Sequence, residues 1–415
     1  MKNAVPAAQR SSDSSATILL WRLNPRPAFA LVVATFAAAA ASVADQGVPL
    51  LLPFIKPEFN LSLATAAVLV TIFAVGRALG SLPTGYLVDL LGSRFILVWT
   101  CYLLGVFLAL AAMTHTVLWL AVALIAAGAA TAGTTAAGAP MVAAAYTRLR
   151  GLAMGIRQAG IPVGGAVGAI ALPWLAYQGS WRLALAAAGV VALAGALVAS
   201  LMRWDRIARI STGDAVVDDQ PPPLLSAPVL ALFAWSALAV AAQYAFLALI
   251  SVQEGAIGLG VTMVVLSQAG GIVGRPGWGL VSDAIGRRRR LTLLIVTAVG
   301  IISILAISWL PPTSNLLLLG AAALGFGLSV NGWQGIWATS VVELAGPGRA
   351  GTALGYGQLA LQIGTVAGPA FVALVAERSG GFGVAWLVLA GAMAVASIPL
   401  MISRTWPAEG RYDPS

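Results

Sequence analysis

The chain has 415 residues, 60% of them hydrophobic and only 9% charged, with a formal net charge of +9. A soluble protein carries about 25% charged residues, so this composition excludes a water-exposed globule and indicates that lipid surrounds most of the chain. The single cysteine, Cys101, and the single histidine, His115, exclude an intramolecular disulfide and leave no cysteine or histidine cluster for a metal.

Twelve apolar stretches follow one another along the chain, each long enough to cross a hydrocarbon core of about 30 Å as a helix. The first six spans are predicted at 28–53, 62–84, 94–113, 116–142, 150–175 and 181–202. The second six are predicted at 227–253, 260–282, 291–310, 314–342, 350–375 and 382–403. We therefore expect an all-α polytopic membrane protein with two six-helix bundles, at 28–202 and 227–403. The segments left over are a cytoplasmic N-terminal tail at 1–27, a polar, proline-containing cytoplasmic linker at 203–226 and a cytoplasmic C-terminal tail at 404–415.

Positively charged residues mark the cytoplasmic side of a membrane protein. With the N-terminus inside and the spans alternating in direction, 17 of the 23 basic residues fall on cytoplasmic segments and three fall on outside loops. This asymmetry predicts that both termini are cytoplasmic, and it explains the net charge as a topology signal. A nucleic-acid partner is not expected, because its binding site would need basic residues clustered on one face.

A ten-residue phrase occurs twice, between spans two and three and again between spans eight and nine. Its key residues repeat at an offset of 194 and are Gly85, Asp89, Gly92 and Arg94 in the first copy and Gly279, Asp283, Gly286 and Arg288 in the second. At an offset of 200, the phrase at 150–158 in span five also resembles that at 350–358 in span eleven. The two halves are therefore parallel repeats that begin on the same side of the membrane, an arrangement found in transporters.

With two copies of this loop, twelve spans and a central linker, the chain resembles the major facilitator superfamily over nearly its whole length. The resemblance implies two six-helix bundles that rock about a central cavity lined by spans one, four, seven and ten. It also implies that the repeated loop is a gate latch. In such a latch, Asp89 and Asp283 either pair with a nearby arginine, which is Arg94, Arg287 or Arg288, or sit at a neighbouring helix N-terminus. The alternative is a solvated, positively charged loop.

Three arginines fall within predicted spans: Arg77 in span two, Arg157 in span five and Arg275 in span eight. An arginine at the bilayer centre costs on the order of 3 kcal/mol on insertion scales, so each needs a partner or a function. Because a guanidinium stays charged and binds carboxylate or phosphate in a bidentate manner, the three favour an anionic substrate. Snorkelling and fixed ion pairs are the alternatives, and Arg275 is close enough to the second loop motif to belong to the gate instead.

Asp45 is the clearest acid within a span, seventeen residues into span one. A carboxylate taken out of water binds a proton more readily, so we predict that Asp45 couples transport to protons. The alternative is a structural hydrogen bond near the outer end of the span.

Further polar side chains should face the interior of the bundle, because a polar group that faces lipid is costly. Those predicted to bind substrate together with Arg77 and Arg157 are Gln158, Gln243, Tyr244, Asn331, Gln334 and Gln358. Thr131, Thr134 and Thr135 of span four and Trp333 and Trp337 of span ten complete the predicted cavity. Any one of them could instead join helices by hydrogen bonds.

The leading interpretation is a proton-coupled permease for a small organic or inorganic anion, a monomer in the bacterial inner membrane. The phrase at 157–162 also resembles the cyanate/organic-anion permease group. Drug or metabolite efflux is the second interpretation, because the stretches at 160–168 and 364–369 are similar to the family's antiporter motif, although small-residue packing explains them too. A non-transporting membrane sensor is the third.

The sequence contains neither a phosphate-binding loop motif nor a cluster of catalytic residue types. We therefore expect no ATP-driven transport, no enzymatic activity and no cofactor.

Overall fold

The structure is a computed structural model that describes residues 25–61, 63–146, 149–201, 224–253, 257–310, 315–346 and 348–402. Almost all of the predicted N-terminal tail, most of the predicted linker and the whole predicted C-terminal tail lie outside these residues.

The described residues form the twelve predicted spans, and the all-α two-bundle fold is confirmed. Spans one to six are Pro25–Gly47 with its continuations Val48–Leu51 and Leu52–Glu58, then Leu63–Leu91, Ser93–Ala112, Val117–Ala145, Arg150–Gln178 and Trp181–Ser200. Spans seven to twelve are Ala227–Gln253, Ile257–Ala284, Arg289–Trp309, Leu316–Phe326 with its continuations Gly327–Asn331 and Gln334–Ala345, then Ala350–Ser379 and Phe382–Ile402. Span one continues through a 3₁₀ turn at Val48–Leu51, and span ten contains a π-helical turn at Gly327–Asn331.

Ten of the described helices are long and apolar enough to cross a membrane. The other two are spans two and eight, of 29 and 28 residues, which each contain an arginine and an aspartate. These two helices therefore bring charge into the bundle, in addition to Asp45 of span one and Arg157 of span five.

Within each half, the glycine-containing stretches at 160–168 and 364–369 pack helices together. A Cβ atom on Gly164 or Gly168 of span five would collide with the backbone of Ala39 or Val43 of span one. A Cβ atom on Gly368 of span eleven would likewise meet the backbone of span seven at Ala241. Small residues allow helix backbones to approach closely in a membrane, so these stretches have a packing role in the structure.

The two halves meet closely at one end of the bundle, which we call the motif end because both copies of the loop motif lie there. Span two packs on span eleven, where a Cβ atom on Gly85 would lie 2.6 Å from the carbonyl oxygen of Gly351. Span eight packs on span five in the same way, since a Cβ atom on Gly279 would collide with the backbone of Gly151. The first glycine of the motif is thus required at both crossings, and the motif end is closed in this conformation.

Candidate functional site

A cavity of about 190 Å³ lies between the two halves. The polar side chains that line it are Ser42, Asp45, Gln46, Arg77, Thr131, Thr134, Thr135, Gln158, Gln243, Tyr244, Gln268, Arg275, Gln334, Gln358, Gln362 and Thr365. They come from spans one, two, four, five, seven, eight, ten and eleven, so the lining includes four spans besides those that the family resemblance implies. Most of the residues predicted to bind substrate are brought together here.

An ion pair between spans one and two forms the charged centre of the cavity. The guanidinium of Arg77 donates from Nη1 to Oδ2 of Asp45 at 2.5 Å, and both side chains are more than four-fifths buried. Nη2 of Arg77 donates to Oε1 of Gln362 in the opposite half at 3.2 Å. Among the described residues, the buried Nε of Arg77 has no hydrogen-bond partner. Asp45 is thus held by an arginine, and Arg77 links the two halves.

Arg275 lies against the cavity from the second half, and only 3% of its surface is exposed. Its Nη1 donates to the backbone oxygen of Gln158 in the first half at 2.6 Å, and its Nε donates to the backbone oxygen of Asn331 at 3.0 Å. Arg275 therefore lines the cavity and also joins the two halves.

Arg157 does not line the cavity, contrary to the prediction of a direct substrate contact. Neighbouring residues on an α-helix point about 100° apart, and span five turns Gln158 to the cavity and Arg157 towards span four. The guanidinium of Arg157 is fully buried and donates to the backbone oxygen of Thr134 at 2.6 Å and to Oε1 of Gln158 at 2.8 Å. Gly138 makes room for it, since a Cβ atom there would lie 2.8 Å from Nε of Arg157.

The bond from Arg157 also orients the amide of Gln158. Because Oε1 of Gln158 accepts from Arg157, its NH₂ group is directed across the interface, where Nε2 donates to the backbone oxygen of Gln334 at 3.4 Å. Gln334 in turn donates from Nε2 to Oε1 of Gln243 at 3.3 Å. These amides form a chain of hydrogen bonds that crosses from the first half to the second beside the cavity.

Asn331, Trp333 and Trp337 of span ten are buried outside the cavity lining, which corrects three predicted positions. The π-helical turn at Gly327–Asn331 changes the helical register just before Gln334. As a result, the Asn331 amide donates to the backbone oxygen of Ser267 on span eight at 3.2 Å. Trp333 packs edge-on between two other tryptophans, with ring centroids 5.2 Å from Trp235 and 5.9 Å from Trp337. The predicted aromatic wall is therefore part of the core of the second half.

Sequence reasoning missed Ser42, Gln46, Gln268, Gln362 and Thr365 as cavity residues. Two of them carried a usable signal. Gln362 lies four residues after Gln358, so the two share one face of a helix. Gln268 lies seven residues, or about two helical turns, before Arg275. Both could have been found by following the face of a span that already held a predicted residue.

The two aspartates of the loop motif bind helix N-termini in the opposite half. Asp89 accepts from the backbone N–H groups of Gly351 and Thr352 at 2.8 and 2.7 Å. Asp283 accepts from those of Gly151 and Leu152 at 3.3 and 2.9 Å. A carboxylate at a helix N-terminus satisfies unpaired N–H groups and complements the helix dipole. Each copy of the motif thus joins its own half to span eleven or span five of the other.

The second latch is reinforced by charges, and the arginine described beside Asp283 is Arg289 rather than the predicted Arg287 or Arg288. Arg289, whose side chain is 1% exposed, pairs with Asp283 at 2.6 Å and with Glu343 at 3.3 Å, and Arg150 of the first half also pairs with Glu343 at 3.3 Å. The chain reverses just before this point, with positive φ angles of 82° at Gly286 and 62° at Arg287. This reversal brings Arg289, rather than Arg288, beneath Asp283.

The remaining motif residues shape the first loop. Gly92 has a φ of 88°, which favours glycine. Arg94 donates from Nη2 to the backbone oxygen of Ser200 at the end of span six, at 3.0 Å.

We expect that Asp89→Asn opens the motif end. The substitution removes the charge that holds the N-terminus of span eleven, and loss of charge-assisted hydrogen bonds should shift the closed-to-open ratio by about tenfold. The readout is the rate at which a maleimide labels Ser81→Cys, because Ser81 is 1% exposed and the natural Cys101 is buried. Glu377→Gln removes an exposed acid at the other end of span eleven and should leave the rate unchanged. Equal labelling of the two variants would contradict the latch.

Within the described part of the chain, no group of three or more His, Cys, Asp or Glu side chains is placed to hold a metal ion.

Comparisons with known proteins agree on one family. The sequence model of the Major Facilitator Superfamily matches residues 31–369 and, in a second match, 224–411. The chain is 29% identical over 387 residues to an uncharacterised MFS-type transporter of Mycobacterium tuberculosis, Rv2994, covering 91% of this chain and 85% of that one. A variant of the E. coli fucose:proton symporter FucP shares the fold with a TM-score of 0.68 and 16% identity, covering 90% of this chain and 97% of that one. The human organic anion transporter MFSD10 also shares the fold, with a TM-score of 0.70 and 16% identity. The match covers 91% of this chain and 100% of that one.

Proposed function

Because the chain belongs to the Major Facilitator Superfamily, we propose that it is a secondary active transporter that moves a small anion by alternating access, coupled to protons. It is a multi-pass membrane protein. The proposal places it as a monomer in a bacterial inner membrane, with both termini and the motif end on the cytoplasmic side.

The charge balance at the cavity carries the anion assignment. Arg77 and Arg275 line the cavity, and Arg157 lies directly behind Gln158, whereas Asp45 is the one acid among the described lining residues. Buried charges are costly unless they are compensated. An anion in the cavity would compensate the excess positive charge, and the unpartnered Nε of Arg77 offers it a donor. The organic anion transporter with the same fold is consistent with this class of substrate.

The size and lining of the cavity favour a small polar anion. Its volume of about 190 Å³ is below the range of about 300–1,000 Å³ found for pockets that hold drug-sized ligands. Amides and hydroxyls dominate the polar lining, so a carboxylate or an inorganic oxyanion would exchange its hydration for hydrogen bonds from the protein. Efflux of large apolar drugs gains no support from this cavity.

The Asp45–Arg77 pair suggests how protons are coupled to the anion. With Asp45 ionised, its carboxylate occupies the Nη1 edge of Arg77. A proton on Oδ2 of Asp45 would neutralise the carboxylate and weaken this bond, which frees the guanidinium fork for the substrate anion. Proton binding and anion binding would then favour each other, because the linkage between two sites is reciprocal. The fold-sharing fucose symporter is itself proton-coupled.

Alternating access would require separation of the contacts at the motif end. The Asp89 and Asp283 latches and the bond from Arg275 to Gln158 hold the halves together in the described conformation. Arg77 adds a bond across the cavity itself, to Gln362. An anion bound to Arg77 would change the bond from Arg77 to Gln362, which is one of the bonds between the halves. Occupancy of the cavity is thereby connected with the relative movement of the two halves.

Flux into proteoliposomes tests the proposed function. Purified protein is reconstituted and offered a panel of small carboxylates and inorganic oxyanions, alongside neutral and cationic solutes of the same size, with an acidic outside. We expect accumulation of one or more anions that a protonophore abolishes. Transport of only neutral or cationic solutes would contradict the anion assignment. Thermal stabilisation by an anion without any flux would instead favour a sensor.

A further inference from the structure

A groove on the outside of the first half runs between spans three and six and begins at the motif end. Its volume of about 640 Å³ compares with about 190 Å³ for the central cavity. Phe95, Trp99 and Tyr102 of span three form one wall, and Leu193 and Leu197 of span six form the other. Between 44% and 63% of the surface of Phe95, Trp99, Tyr102 and Leu197 is exposed. In a membrane protein, such an apolar exterior surface faces lipid.

One cation stands at the end of this apolar groove. Arg94 lines the groove and donates from Nη2 to the backbone oxygen of Ser200, which fixes the guanidinium between the two helices. A guanidinium carries five N–H donors in a planar fork, a geometry that matches phosphate. Arg94 is also one of the basic residues that place this end of the bundle at the cytoplasmic surface, where anionic lipid headgroups create a negative potential.

The aromatic wall forms a continuous ladder that leads away from Arg94. Ring centroids of Phe95 and Trp99 are 5.9 Å apart, and those of Trp99 and Tyr102 are 5.6 Å apart in an edge-to-face arrangement. Tryptophan and tyrosine are enriched at the level of lipid headgroups because one part of each ring is polar and the rest is apolar. The ladder therefore offers a fixed surface for the first part of an acyl chain.

The second half repeats the arginine but not the aromatic ladder. Arg290 at the start of span nine donates from Nη2 to the backbone oxygen of Met401 near the end of span twelve, at 2.5 Å, just as Arg94 bonds to Ser200. The residues one and five positions after Arg290 are Leu291 and Ile295, where Phe95 and Trp99 follow Arg94. The arginine bond between the two helices thus forms in the second half without an aromatic ladder. The aromatic ladder is an addition in the first half that this structural role does not explain.

We propose that the groove between spans three and six binds an anionic phospholipid. Arg94 binds the phosphate of the headgroup, and one acyl chain lies along the aromatic ladder against Leu193 and Leu197. The combination of a fixed cation with a long apolar groove selects a molecule that has both an anionic head and an apolar tail. This site is separate from the substrate cavity, and its occupant stays in the bilayer.

Lipid retention by the purified full-length protein tests the proposal. Native mass spectrometry compares phosphatidylglycerol with phosphatidylcholine of the same acyl chains, and glycerol phosphate is added as a competitor without chains. We expect the protein to retain phosphatidylglycerol in preference, and Arg94→Gln to weaken this retention by about tenfold, the effect of losing a charge-assisted hydrogen bond. Arg290→Gln, which removes the equivalent bond in the second half, should retain the lipid as the unmodified protein does.

Two further variants separate a loss of lipid binding from a loss of folding stability. Arg94→Lys keeps the charge and should retain more phosphatidylglycerol than Arg94→Gln at the same melting temperature. Trp99→Ile copies the aliphatic wall of the second half and should weaken retention without changing the charge. Equal retention of the two lipids, or equal losses in Arg94→Gln and Arg290→Gln, would overturn the proposal. Full displacement by glycerol phosphate would assign the site to a free phosphate ester instead.

Discussion

Arg77→Gln should lower the rate of anion transport by about 100-fold, the consequence of losing two charge-assisted hydrogen bonds in a desolvated site. Arg77 is the cavity residue that combines a partner in span one, a partner in the opposite half and a buried Nε without a described partner. Arg77→Lys keeps the charge but loses the planar fork, so we expect an intermediate rate. The measurement is the initial rate of anion uptake into proteoliposomes.

Controls for this prediction must separate loss of function from loss of folding. Arg77→Gln alone would leave Asp45 as an uncompensated buried charge. Removing one member of a buried ion pair destabilises a protein by about 3–5 kcal/mol, so this variant should also lose folding stability. The double variant Arg77→Gln/Asp45→Asn removes both charges and should restore the melting temperature without restoring transport. Arg182→Gln is a matched control, because Arg182 also pairs with an acid, Glu58, but at the end of the bundle away from the motif. Normal anion transport by the double variant would refute the role of Arg77.

Asp45→Asn should abolish the pH dependence of anion binding and the accumulation that a proton gradient drives. Asparagine resembles the protonated carboxyl group in shape and charge, so Arg77 would be available to the anion at every pH. In the unmodified protein, anion affinity should rise as pH falls, because protonation of Asp45 favours anion binding by linkage. In Asp45→Asn the affinity should be constant, and exchange of labelled for unlabelled anion should continue without accumulation.

Stability provides a second readout of Asp45→Asn. The substitution leaves Arg77 as an uncompensated buried charge, so the melting temperature should fall in the absence of substrate. A bound anion supplies the missing negative charge and should raise the melting temperature of this variant more than that of the unmodified protein. Gln46→Asn changes a neighbouring cavity residue without removing a charge and serves as the control. A pH-dependent anion affinity that persists in Asp45→Asn would assign proton coupling to another group.

Most of the fold could be predicted, because the length of each apolar stretch and the distribution of basic residues between the two sides are properties of whole helices and loops. All twelve spans were found, but some ends were wrong. Span two was predicted to end at residue 84, whereas its helix continues to Leu91 beyond the apolar stretch. Span one was predicted to end at residue 53, whereas it continues to Glu58 through the 3₁₀ turn. In both cases contacts between helices extend the element beyond the point at which hydropathy falls.

The candidate site was harder to predict, because hydropathy does not say which way a side chain faces. Arg157 and Gln158 are adjacent and both were assigned to the cavity, yet span five turns only Gln158 towards it. Asp45 and Arg77 were assigned separate roles, because their contact depends on how spans one and two are packed. Asn331 was wrongly assigned to the cavity, because the sequence of span ten contains no signal of the π-helical turn.

That π-helical turn in span ten has a consequence for how Arg275 is held. A π turn is the form that an α-helix takes when it accepts one extra residue while the helix on either side keeps its orientation. Span ten contains such a turn, whereas its counterpart in the first half, span four, is a continuous helix from Val117 to Ala145. The backbone oxygen at the end of this turn, that of Asn331, is the acceptor for Nε of Arg275. The π-helical turn thus presents a backbone acceptor to a buried cation, whereas the counterpart span four is a continuous α-helix.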